Sequence, residues 1–119
     1  MIIGIGCDLV EIERFEQMKN RESFEKRFFT AQEVLAAAGR SAFFAANFSV
    51  KESVSKVFGT GIRGFELKEI EVLRDELGKP YVTLYGKAEE LAKTLGIRKM
   101  HVSITDTGTL VMTMAVGED

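Results

Sequence analysis

An α+β fold, with helices packed on a mostly antiparallel sheet, is what the sequence predicts, and three observations lead there. The chain opens on a β-branched, glycine-bearing run, carries a long amphipathic stretch at its centre, and closes on two runs of alternating apolar residues. Its 119 residues match one domain, spanning 1–119, since two shorter units would each bury too little surface.

Ile2 to Cys7 read as the first strand. Leu9, Ile12, Phe15 and Met18 then recur every three positions, the spacing of an amphipathic helix, so the strand is expected to enter a helix near Asp8. Thr30 followed by Glu33 forms a capping box ahead of Val34 and Leu35, and the helix it starts should stop at Gly39. In a longer helix from Ser41 to Phe58, the apolar Phe43, Ala46, Val50, Val54 and Val57 fall within about 80° of the helical wheel. Gly59 supplies its C-cap. Glu69 to Arg74 and Tyr81 to Tyr85 read as strands joined through Gly78-Lys79-Pro80, and Lys87 to Leu95 as a short helix closed by Gly96. Met100, Val102 and Ile104 alternate with polar residues, and Leu110, Met112, Met114 and Val116 do so after Asp106-Thr107-Gly108-Thr109, giving a final hairpin. The order strand, three helices, two strands, helix, two strands suits helices laid on an antiparallel sheet.

With 45% hydrophobic and 29% charged residues, the composition is that of an ordinary globular protein, neither disordered nor membrane-embedded. The amino-terminal run lacks a basic leader and is interrupted by Asp8, so it reads as a strand and not a signal peptide, and a cytoplasmic location is expected. A single cysteine, Cys7, forms no internal disulfide or thiolate cluster and is expected as a buried structural thiol. The net charge of −2 argues against a nucleic-acid surface or an anionic membrane partner. Between Arg14 and Arg27, however, five basic residues stand against three acids, which fits either an acidic protein partner or a helix face laced with ion pairs.

Glu52 and Lys56 lie four apart on the long helix, opposite its apolar stripe, beside Phe48 and Ala45. An apolar Phe48 on that face implies that it meets another part of the protein or another subunit; otherwise the two charges are a surface i,i+4 pair. Asp8 has two readings of its own, N-cap of the first helix or, with Glu52, a hard oxygen ligand of a Mg²⁺ that bridges phosphates. Gly59-Thr60-Gly61-Ile62-Arg63-Gly64 offers backbone N–H groups to phosphate oxygens, although a C-cap and loop explain it equally; the spacing is not that of a P-loop. His101, the one histidine, alternates along a strand and is read as packing or hydrogen bonding.

Taken in order, Gly4-Ile5-Gly6-Cys7-Asp8-Leu9-Val10-Glu11-Ile12-Glu13-Arg14, Phe29-Thr30-Ala31-Gln32-Glu33, Phe48-Ser49-Val50-Lys51-Glu52-Ser53-Val54-Ser55-Lys56, Gly59-Thr60-Gly61, Gly78-Lys79-Pro80 and His101-Val102-Ser103-Ile104-Thr105 resemble the holo-acyl carrier protein synthases, within the 4'-phosphopantetheinyl transferase superfamily. The resemblance spans nearly the whole chain. It implies transfer of phosphopantetheine from coenzyme A to a serine of apo-acyl carrier protein, releasing 3',5'-ADP, in support of fatty acid biosynthesis. Asp8 and Glu52 would hold Mg²⁺, Lys56 would stabilise charge on the leaving nucleotide, and Glu52 would also be the candidate base. Lys51, Gly59, Thr60 and Gly61 would bind the nucleotide, Arg14, Met18 and Arg21 would grip the acidic carrier, and homotrimers would place active sites between subunits. Two positions depart from the pattern: Asp106 stands where the family commonly has histidine, and Asn47 where it commonly has a basic residue. If both face the nucleotide's 3'-phosphate, discrimination between coenzyme A and its dephospho form should weaken; alternatively Asp106 joins the metal. Two rival classes are a noncatalytic module that binds acidic helices and a Mg²⁺-dependent phosphatase.

Overall fold

A computed structural model describes all 119 residues, Met1–Asp119. Strand β1 (Ile2–Glu11) leads to a one-turn helix α1 (Glu13–Glu16), then to α2 (Arg21–Phe28), α3 (Ala31–Ala37) and the long α4 (Ser41–Phe58). A 3₁₀ turn (Leu67–Glu69) enters β2 (Ile70–Arg74), and β3 (Pro80–Leu84), α5 (Gly86–Leu95), β4 (Lys99–Asp106) and β5 (Leu110–Glu118) complete the chain. The strands form two antiparallel sheets, β1-β5-β4 and β2-β3, and α4 packs against the first.

The predicted α+β class and the bounds of α4 hold, as do the Thr30–Glu33 capping box and the left-handed Gly59 that ends α4. The amino-terminal helix does not. β1 continues to Glu11 because Asp8, Leu9, Val10 and Glu11 pair with Thr113, Met112, Val111 and Leu110, a ladder of backbone hydrogen bonds that outweighs a three-residue spacing of apolar side chains. Leu9 is exposed, and Asp8 is a strand residue that caps no helix. Helical structure starts only at Glu13 and is broken between Gln17 and Asn20.

Strand alternation fixes two faces. Gly4, Gly6, Asp8 and Val10 on β1 share the inner face with Val111, Thr113, Ala115 and Gly117 on β5, their register partners. Ile5, Cys7, Leu9, Met112 and Met114 take the outer face, where all five are exposed. In the last strand it is therefore Val111, Thr113 and Ala115 that enter the core, not the bulkier methionines, and Cys7 is exposed, contrary to the expected buried thiol.

Helix α4 is buried nearly all round, with Val50 and Val54 fully covered on one side and Ala45 and Phe48 on another. Phe48 does meet another part of the protein, and that part belongs to the same chain: its ring stands 5.7, 5.6 and 6.1 Å from those of Phe15, Phe24 and Phe28, in tilted or edge-on arrangements that aromatic quadrupoles favour.

Candidate active site

At the candidate site the inner face of β1 meets α4. The backbones approach so closely because Gly4 and Gly6 lack side chains: a Cβ at Gly6 would stand 2.9 Å from Lys56 Cβ, and one at Gly4 would stand 2.5 Å from the Val57 carbonyl oxygen. Glycines at alternate strand positions share a face, so the two make a bare track on which the helix settles. Asp8 is next on that track and so comes to lie beside the helix turn bearing Glu52 and Lys56.

Lys56 Nζ donates a 2.7 Å hydrogen bond to the Cys7 carbonyl oxygen and stands 3.5 Å from Asp8 Oδ1. The Asp8 side chain is largely covered, and its Oδ2 is buried with no hydrogen-bond partner. A buried anionic oxygen without a donor is costly, so its presence marks a place for a cation. Glu52 is partly buried on the adjoining helix turn. Burial pushes its pKa up, and the Asp8 charge adds to that effect, while Lys56 and Arg14 oppose it. Two carboxylates thus converge with a lysine at their edge. No cluster of three or more carboxylate, histidine or cysteine side chains able to hold a metal exists in the chain. This is the donor set of Mg²⁺ bound by one or two carboxylates and otherwise by water and phosphate oxygens, so Asp8 and Glu52 fit such an ion.

The other expected residues divide. Gly59, Thr60 and Gly61 form an exposed turn directly after α4, with Gly59 and Gly61 in the left-handed region and the Thr60 hydroxyl donating to the Gly61 carbonyl. Arg14 is exposed on the flank of the site, with its guanidinium over the Phe48 ring at 5.2 Å; Met18 beside it is half-buried against the core. Arg21 is drawn into the fold instead: it donates to the Gly39 carbonyl and to Ser41 Oγ and pairs with Glu25 at 3.2 Å, which leaves it little to offer a partner.

Two expectations are corrected by burial. Lys51 is fully buried: its ammonium donates to Glu33 Oε1 at 2.8 Å and to the Leu67 and Ile70 carbonyls, so it touches no nucleotide. Asn47 is likewise fully buried, donating to Glu33 Oε2 and the Val72 carbonyl, and cannot face a 3'-phosphate. Asp106 ends β4 two strands away from β1, in a cleft with Arg40, Phe43 and Arg74, apart from Asp8 and Glu52 of the same chain. His101 accepts the role expected of it, with Nε2 3.0 Å from Glu118 Oε1. Gly4 and Gly6 are the residues that sequence reading passed over; two glycines at alternating positions in a strand are a signal of close backbone approach.

The profile of the 4'-phosphopantetheinyl transferase superfamily matches residues 4–114. Over 118 residues the chain is 49% identical to the holo-[acyl-carrier-protein] synthase of Lachnoclostridium phytofermentans, a match covering 99% of this chain and 97% of that protein. Its structure superposes on the crystal structure of holo-[acyl-carrier-protein] synthase from Neisseria meningitidis with a TM-score of 0.91 at 30% identity, covering each chain completely. The Bacillus anthracis holo-(acyl-carrier-protein) synthase, solved in complex with CoA (3',5'-ADP), matches with a TM-score of 0.83 at 31% identity over 100% of this chain and 98% of that one.

Proposed function

The chain belongs to the 4'-phosphopantetheinyl transferase superfamily, alongside its holo-acyl carrier protein synthases, and from that premise we propose how its residues carry out the transfer. The enzyme moves the phosphopantetheine group of coenzyme A to a serine of an apo-acyl carrier protein. The observation that carries the site assignment is the unpaired, buried Asp8 Oδ2 beside Glu52 and Lys56. Asp8 and Glu52 would hold Mg²⁺, which when bound would supply charge neutralisation for the phosphoryl group and the leaving nucleotide.

The serine hydroxyl attacks the β-phosphorus, and the bond from that phosphorus to the bridging oxygen breaks, releasing 3',5'-ADP. Lys56, anchored by the Cys7 carbonyl yet more than half exposed at 54%, presents its ammonium to that leaving group. Glu52 accepts the hydroxyl proton as the general base. The exposed Gly59-Thr60-Gly61 turn supports the nucleotide, and Arg14 with Met18 receives the acidic carrier.

The chain assembles as a homotrimer in this reading, and self-association is supported by the outer face of the β1-β5-β4 sheet, where Ile5, Leu9, Met112 and Met114 are 62%, 61%, 47% and 44% exposed, an apolar surface of the kind that marks an association site. No helix is long and apolar enough to cross a membrane. A cytoplasmic location accords with a lone, exposed thiol. Incubating the protein with apo-carrier, coenzyme A and Mg²⁺ and weighing the carrier by mass spectrometry tests the reading. Covalent gain of phosphopantetheine that is abolished in Asp8→Asn and Glu52→Gln supports it; phosphate release without that gain would point to a phosphatase.

A further inference from the structure

Helix α4 carries, besides Glu52 and Lys56, two sets of fully buried polar side chains, and they lie on opposite sides of it. On one side Asn47 and Lys51 reach across to α3, the 3₁₀ turn and β2: Lys51 to Glu33, Leu67 and Ile70, and Asn47 to Glu33 and Val72. On the other, Ser49 Oγ and Ser53 Oγ meet Thr113 Oγ1 of β5 at 2.8 and 2.7 Å. At 100° per residue the two sets are separated by roughly half a turn, and Glu52 and Lys56 emerge between them on the side of the serines.

In the first set Asn47 Oδ1 is buried without a partner, whereas the Lys51 ammonium itself is fully satisfied. Its three ammonium protons have three acceptors, and Glu33 accepts in addition from the Thr30 and Val72 backbone N–H groups and from Asn47, so one carboxylate ties α3, α4 and β2 together. Burial lowers the Lys51 pKa, an effect that the adjacent Glu33 opposes. A buried ion pair is weak evidence for stability, because a well-packed apolar pair does as well; its best-attested use is to fix one arrangement among several. Packing of apolar side chains resists rotation of a helix but specifies its angle less sharply than three directed hydrogen bonds from one ammonium.

We propose that Lys51 and Glu33 are positioning residues for the transfer, holding the rotation of α4 so that Glu52 meets Asp8. This inference rests on the functional reading given above. A rotation of about 20° would sweep a side-chain tip some 6 Å from the helix axis through roughly 2 Å. That displacement separates the two carboxylates, and misplacements of about 1 Å already cost on the order of a hundredfold in rate.

The experiment pairs Lys51→Met/Glu33→Gln, which removes both charges together, with the isosteric single change Glu33→Gln, and uses Val72→Ala as a control that trims a core side chain of β2 while keeping the Val72 backbone bonds to Glu33 and Asn47. Each purified variant is measured for melting temperature, for Mn²⁺ affinity by electron paramagnetic resonance in the absence of donor, and for kcat and both KM values with Mg²⁺. The expected result is a folded double variant whose Mn²⁺ affinity falls at least tenfold and kcat about a hundredfold, with KM for the carrier unchanged. Glu33→Gln should fall between it and the parent, and Val72→Ala should keep its Mn²⁺ affinity at comparable loss of melting temperature. Should the double variant not fold, Glu33→Gln carries the same reading: unchanged Mn²⁺ affinity and kcat in a folded variant overturn the proposal. So does an equal fall in Val72→Ala, which would make the effect one of stability. Glu52→Gln separates the two levels: if it too leaves Mn²⁺ affinity untouched, the metal assignment fails and takes this inference with it. If Glu52→Gln abolishes binding and the ion-pair variants do not, only the positioning role is lost.

Discussion

The contact between β1 and α4 is the tightest backbone approach around the site, and Gly6→Ala probes it directly. The added Cβ would stand 2.9 Å from both Lys56 Cβ and the Ser53 carbonyl carbon, and closer still to the Ser53 carbonyl oxygen. Carbon pairs rest at about 3.5–4.0 Å, so helix and strand must part by roughly 1 Å, since neither obstructing backbone atom can rotate away. Overpacking of this kind costs about 1–3 kcal/mol. At an unfolding entropy near 2.1 cal/mol/K per residue, that lowers the melting temperature of a chain this long by about 4–12 °C. Activity should suffer more than stability, because the parting opens the gap between Asp8 and Glu52, and about 1 Å of misplacement is worth on the order of a hundredfold in kcat. The assay is initial-rate transfer to apo-carrier followed by mass spectrometry, with thermal melts of the same preparations. Gly108→Ala, where an added Cβ meets nothing within 4 Å, serves as the matched control and should behave as the parent. A Gly6→Ala protein with parental kcat and melting temperature would refute the claim that a bare glycine track brings the two carboxylates together.

Glu52→Gln should stabilise the metal-free protein at neutral pH. The folded-state pKa of Glu52 is raised above its ordinary 4.5, so the charged form is penalised once the pH exceeds the folded value, and the penalty is absent below 4.5. Melting curves should therefore show the variant above the parent at pH 7 and level with it at acid pH; added Mg²⁺ should raise the parent alone. Arg14→Ala should raise KM for the carrier several-fold, with a difference that shrinks in high salt, and leave KM for coenzyme A unchanged. Arg21→Ala should instead lower the melting temperature with carrier KM intact, because its guanidinium serves Gly39, Ser41 and Glu25. Met114→Asp, on the apolar outer sheet face, should give a monomer by light scattering. A trimer of parental size in that variant would remove the outer face as the association surface.

Much of this architecture was legible in local chemistry. The Thr30–Glu33 box and the Gly59 and Gly96 caps act within one turn of chain, so their residues alone define where α3 starts and where α4 and α5 end. What misled was competition between levels: the spacing of Leu9, Ile12 and Phe15 suits a helix, yet β5 offers β1 a long ladder of partners that no local pattern reveals. The same holds at the site. Asp8, Glu52 and Lys56 are near one another as expected, but Lys51, one residue from Glu52, points a third of a turn away into the interior, where Glu33 waits from another helix. A lysine and a glutamate far apart in sequence carry no mark that they will be buried together. Nor does Asn47 announce that it is interior, since a polar side chain is covered only where partners such as Glu33 and Val72 happen to stand. On β5 the alternation of Leu110, Met112, Met114 and Val116 marks the outer face, and the smaller Thr113 and Ala115 face inward, where Thr113 meets Ser49 and Ser53 of α4.

A crystal structure of the protein with Mg²⁺ and coenzyme A addresses the metal assignment without intermediaries. One carboxylate oxygen from Asp8 and one from Glu52 should each stand about 2.0–2.1 Å from the same ion, which also touches the pyrophosphate. An ion held by only one of the two residues, or seated elsewhere on the chain with the donor still bound, would contradict it.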